Sequence, residues 1–230
     1  MVGDVDVAAA AALIGEPARA ALLLALMEGE ALPARELAAR AGVAPSTASE
    51  HLAKLRSRGL VSDERRGRQR YFQLAEPAVA VALEALSAIA PARPVRTLRE
   101  ASASDAIRHA RTCYDHLAGR LGVELAVALE RDGVLVYEDE QYALGPAAQG
   151  RLGGLGIDVA ELTRLRRPLV RPCLDWSERQ RHVAGALGAA LASRLFELDW
   201  LRRRSSNRSV EVTAIGRTEL AAKFGLDLRG

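Results

Sequence analysis

The 230-residue chain is 49% hydrophobic and 27% charged, has only 4% aromatic residues and carries a formal charge of +3. This is the composition of a folded chain long enough for one large domain or two small ones; it excludes disorder and favours helix-rich cores over a β-sandwich. Two cysteines are too few for a disulfide scaffold, no apolar run reaches bilayer-spanning length, and the opening MVGDVDVAAAAALIGEP lacks the basic start of a signal peptide. The expectation is a cytoplasmic protein with no membrane partner.

In chain order, an Ala-rich helix ends near Gly15 and a second starts at Pro17, where a helix tolerates a missing N–H. LPARELAARAG forms a short helix ending at Gly42, and VAPSTASEHLAKLRSRG another ending at Gly59. Leu37 and Ala38 face inward in the first, and Ala48, Leu52 and Leu55 in the second repeat at helical spacing. Two short helices joined by a tight AGVAP turn form a helix-turn-helix layout. LVSDERRGRQRYFQL then reads as a hairpin around Gly67, its tip carrying Arg65, Arg66, Arg68 and Arg70. With Lys54, Arg56 and Arg58 these basic residues face only Asp63 and Glu64, so the stretch suits phosphates beside a groove-reading helix.

Residues 8–90, with S-T-x-S-x-H-L, the R-x-x-G-L-V junction and the hairpin in register, resemble the ArsR family of winged-helix repressors. The resemblance implies a homodimer paired through the helices in 1–30 and 77–90, bound to double-stranded DNA and released by an effector. It places Pro45, Ser46, Thr47, Ser49, Glu50 and His51 at the reading end of the recognition helix, with Lys54 and the wing arginines alongside. Glu50 departs from the basic or amide residue common there and suits a cytosine N4 better than a phosphate. The family's usual sensor ligands are missing: ARELAARAG has no cysteine, and 77–90 offers only Glu84 and no histidine.

PARPVRTLREASA (91–103) reads as a linker, giving a 1–90 DNA-binding and dimerisation domain and a 104–230 regulatory domain. The fold class expected is mainly α with small β-hairpins (α+β), a winged helix-turn-helix followed by a C-terminal domain that is itself winged-helix-like. In that second half Ser104 is taken to cap a helix reaching Leu121, broken at Gly122, with VELAVALERDG as the next helix. Hairpins are expected at 134–144 and 200–212, the latter with its tip at Ser205–Asn207. Ser177 and Gln180 read as a capping box opening a helix to Leu198, and Thr213 as the cap of a final helix. The three hairpins look alike, but too loosely to count as a sequence repeat.

Two stretches of this half carry soft ligands. On the helix expected from Ser104, which carries RHARTCYDHLAG (108–119), His109, Cys113, His116 and Arg120 would share one stripe. In RPCLDWSERQRH, Cys173 and Asp175 would precede a helix N-terminus containing His182, lowering the thiol pKa. Cys113, His116, Cys173 and His182 would form a Cys2His2 set if the stretches meet, suited to a soft or borderline metal such as zinc. The thiols could instead pair on oxidation, an organic effector could bind nearby, or the residues could be structural. The sequence names no cofactor. The chain is expected not to be an enzyme; the rivals are a thiol-dependent enzyme using Cys113 or Cys173, and an architectural DNA binder without an effector. No glycine-rich phosphate loop, serine-hydrolase elbow or HExxH motif is present.

Overall fold

Asp6 caps the first helix, α1 (Val7–Ile14), accepting from the Ala9 N–H, and Glu16 caps α2 (Pro17–Leu26) through the Ala18 and Arg19 N–H groups. The two helices bend by 85° at this break. Among the described residues, no single helix is long and apolar enough to cross a membrane. The computed structural model describes residues 4–91, 94–204 and 207–228. They divide into two compact units, 1–83 and 84–230.

In the first unit α2 is followed by a two-residue strand, β1 (Leu32–Pro33), then α3 (Ala34–Ala41) and α4 (Pro45–Ser57). Gly42 ends α3 in the left-handed conformation, which lets the chain turn sharply into α4. The wing is β2 (Val61–Arg66) and β3 (Gln69–Leu74), in register from Val61–Leu74 to Arg66–Gln69. Gly67 takes positive φ in its two-residue tip. Unanticipated was β1, which pairs Leu32 with Phe72 and Pro33 with Tyr71, making a three-stranded sheet of order β1-β3-β2. Leu22, Leu23, Leu26, Leu37, Leu52 and Leu55 fill the core beneath it. The helix α5 (Pro77–Ile89) begins in the first unit and ends in the second.

The second unit departs from expectation where the soft ligands lie. Its first helix, α6 (Leu98–His109), starts inside the stretch read as linker, capped by a Thr97–Glu100 capping box rather than by Ser104. It stops at Ala110, which is extended. The expected helix to Leu121 is replaced by a tight hairpin, β4 (Arg111–Cys113) and β5 (His116–Ala118), with Tyr114 at φ 60° in its turn. Tertiary pairing overrides helical periodicity here: Thr112 N–H donates to Arg208 O and Val210 N–H to Ala110 O, so the segment is held on both edges. Gly122 does not break a helix; it lies within α7 (Gly119–Arg131). The hairpin β6 (Leu135–Glu138) and β7 (Gln141–Leu144) and the short helices α8 (Ala148–Gly153) and α9 (Val159–Thr163) follow.

The capping box expected at Ser177 and Gln180 is also replaced by a hairpin, β8 (Arg171–Leu174) and β9 (Arg181–Ala184), and the long helix α10 (Gly185–Glu197) starts only after it. The chain ends with β10 (Leu201–Arg203), β11 (Val210–Val212) and α11 (Ala214–Phe224), capped by Thr213 as anticipated. Part of the last hairpin's tip, residues 205–206, lies outside the described residues.

These elements form a tandem repeat that the sequence reading missed. Hairpin, helix, hairpin and helix occur as β4–β5–α7–β6–β7–α8 and again as β8–β9–α10–β10–β11–α11. RTCYD runs straight into HLAGRLG in the first copy, whereas RPCLD is separated from HVAGALG by six residues, 176–181, in the second. The insertion breaks a constant spacing, which hides the repeat from a search for fixed periods. Leu121, Leu125 and Leu129 of α7 and Leu187, Leu191 and Leu195 of α10 occupy equivalent positions in one shared core.

Candidate functional site

The helix-turn-helix presents a polar face beside a basic wing. Ala48, Leu52 and Leu55 bury the inner side of α4, leaving Pro45, Ser46, Ser49, Glu50 and Lys54 exposed and Thr47 half-buried. Ser49 Oγ donates to Pro45 O at 2.9 Å. The His51 imidazole is half-buried and turns to Glu16, with Nε2 3.5 Å from its carboxylate, so it sits against the start of α2. On the wing, Arg70 pairs with Asp63 at 3.0 Å, and Arg66 pairs with Glu64 and lies 4.8 Å from the centre of the Tyr71 ring. Arg65 and Arg68 are exposed with no ion pair among the described residues.

The four soft ligands meet in the second unit. Cys113 and His116 are direct cross-strand partners in β4–β5, and Cys173 and His182 are partners in β8–β9. Such partners project from the same face of a hairpin. The faces oppose one another, so the two Sγ atoms and one ring nitrogen from each histidine all lie within 4.8 Å of each other. His116 Nε2 and His182 Nε2 are 3.2 Å apart, and the rings stack with centroids 5.1 Å apart. Cys113, His116 and His182 are buried and Cys173 is half-buried. His109, at the end of α6, stands outside this group; burial, with Arg120, pushes its pKa down.

The cluster sits in a polar shell. Asp115 accepts from His116 Nδ1 at 3.1 Å and from Arg167 at 2.6 Å. Asp175, fully buried, lies 3.7 Å from His182 Nδ1. It accepts from Arg111 Nη2 at 2.8 Å, Gly119 N–H at 2.6 Å, Ser177 Oγ at 2.7 Å and the Ser177 and Glu178 N–H groups. Burial alone would raise its pKa, but Arg111 and these donors hold the carboxyl well below the usual range. The thiols separate similarly: hydrogen bonding from Cys113, then from both histidines, lowers the Cys173 pKa, while donation to Cys173 and burial raise that of Cys113. A depressed Cys173 pKa was expected from a helix N-terminus; the neighbouring thiol and imidazoles produce it instead.

Arg111 was missed by the sequence reading and is completely buried, stacked 4.6 Å from the centre of the Trp176 ring. Its repeat counterpart is Arg171, in the pattern R-x-C-x-D that both hairpins carry. That pattern was the available signal.

A family model described as a helix-turn-helix domain matches residues 14–64. The chain is 41% identical over 212 residues to YdfF of Bacillus subtilis, described as an uncharacterized HTH-type transcriptional regulator, covering 92% of this chain and 94% of that protein. The chain belongs to the HTH-type transcriptional regulators. Solved structures with local likeness to this regulator include a cadmium sensor from Mycobacterium tuberculosis, 33% identical, with 40% of this chain and all of that one covered and a TM-score of 0.32. Another is a homodimeric winged helix-turn-helix domain from Mycobacterium bovis, 28% identical, covering 39% and 89%, with a TM-score of 0.31. The relation to YdfF extends over both units of the regulator, the Cys/His hairpins among them.

Proposed function

We propose that the chain is a homodimeric, sequence-specific transcriptional repressor whose operator affinity is set by the state of the Cys/His cluster in its second unit. The observation that carries the DNA-reading part is the exposed polar face of α4 beside two wing arginines, Arg65 and Arg68, that no acidic residue among the described residues holds. The start of a helix favours phosphate, Ser46, Thr47 and Ser49 can reach base edges, and Glu50 can accept from a cytosine N4.

Dimerisation is supported by apolar surface left uncovered in the single chain. Val7 on α1 is 69% exposed, and Ile89 on α5 is 81% exposed, with Val81 and Leu86 also exposed. Apolar side chains on these helix faces suit a contact with a second copy of the chain. It lies in the 1–30 and 77–90 segments to which the ArsR resemblance assigns pairing.

The test is binding of the full chain to its own promoter region and to random DNA of equal length across a salt series. Strong preference for the promoter with a steep salt slope is expected. Equal binding to both would leave only an architectural DNA binder.

A further inference from the structure

We infer that Cys113, His116, Cys173 and His182 form a closed, four-coordinate site for a zinc-class divalent metal, one Cys–His pair from each repeat, fixing the two repeats to one another. This rests on the reading of the second unit as the regulatory part and names the ligand class of its cluster. Two sulfurs and two nitrogens converging within 4.8 Å match the donors and spacing of a tetrahedral S2N2 centre. The 3.2 Å between the Nε2 atoms is close to the ~3.3 Å edge expected for two nitrogens on one zinc ion.

The surroundings select the same atoms. A histidine that coordinates through Nε2 carries its proton on Nδ1 and turns that N–H to a carboxylate, which fixes ring and tautomer. His116 Nδ1 has Asp115 at 3.1 Å; His182 Nδ1 is buried, has no hydrogen-bond partner among the described residues, and has Asp175 at 3.7 Å. The two carboxylates follow their cysteines at the same interval in each repeat, so both the ligands and their supports are duplicated.

Packing is reciprocal too. A Cβ on Gly188 would lie 3.1 Å from His116 Cβ, and one on Gly122 would lie 3.6 Å from His182 Cβ, so each repeat's helix backs the other repeat's histidine. Four protein donors leave no position for substrate, which makes the site a structural or regulatory clamp rather than a catalytic centre. On binding, two thiolates neutralise the dication, and any thiol proton still present goes to solvent.

The experiment uses the full chain, reduced and stripped with a chelator, then titrated with cobalt(II) and displaced with zinc(II). Saturation is expected at one cobalt per chain, with thiolate-to-metal charge transfer in the near ultraviolet and intense visible bands of a tetrahedral ion. C113S and C173S should each lose much of the charge transfer. D115N should keep the spectrum and weaken affinity about 10–100-fold. No uptake, one metal per two chains, an octahedral spectrum, or charge transfer unchanged in both serine variants would overturn the site. If a variant fails to fold, the wild-type stoichiometry and spectrum still decide. Promoter binding is measured separately on the metal-free and metal-loaded chain. Loss of the metal site with promoter preference intact refutes the site alone; a normal cobalt spectrum without promoter preference refutes the repressor reading alone.

Discussion

Gly122 and Gly188 show how single residues set the position of the ligand hairpins. A Cβ on Gly188 would stand 2.4 Å from Val183 O, and one on Gly122 2.6 Å from Leu117 O, both backbone atoms that cannot rotate away. Gly188→Ala is therefore expected to destabilise the protein by about 1–3 kcal/mol through overpacking, read as a lower urea midpoint at unchanged slope. Arg111 is the other decisive residue. Its guanidinium and the Asp175 carboxylate are both fully buried and 2.8 Å apart, one from each repeat. Arg111→Met should cost about 3–5 kcal/mol by leaving Asp175 without its cation, and adding Asp175→Asn should recover part of that loss. Recovery by the double variant is the measurement that separates a charge effect from a packing defect.

Among the elements, the wing separates arginines that look equivalent in the sequence. Arg66 and Arg70 are engaged by Glu64 and Asp63 within the hairpin, whereas Arg65 and Arg68 are not. Replacing Arg65 and Arg68 with alanine should reduce the salt slope of promoter binding by about 1.8, roughly 0.9 for each phosphate no longer neutralised. The same change at Arg66 and Arg70 should have the smaller effect, and equal slopes would show that the wing pairs open on DNA. Helices α3 and α4 were legible because proline, glycine and a buried apolar stripe agree on their limits. The β4–β5 hairpin was not: RHARTCYDHLAG also fits helical spacing, and its hairpin depends on a tight turn at Tyr114 and on pairing with residues almost a hundred positions away.

At the scale of the whole molecule, two associations remain to be measured. Val81→Glu or Ile89→Glu should place charge on the uncovered face of α5 and weaken self-association at least tenfold, about 1.4 kcal/mol, by sedimentation. Metal removal should lower the thermal midpoint of the chain; free metal at a thousandfold excess over its dissociation constant adds about 4 kcal/mol to the folded state. The helix-turn-helix, the arginine-rich wing and the resemblance that goes with them were legible in the residues alone, because those features rest on local signals: caps, turns and a 3.6-residue period. The sequence also supplied the four soft ligands, but not their meeting; it placed Cys113, His116 and His182 on helices and Cys173 just ahead of one. Their place on two facing hairpins comes from long-range packing. Cross-strand register and a repeat interrupted by six residues bring Cys113 to Cys173 and His116 to His182, and nothing within either stretch alone records that pairing.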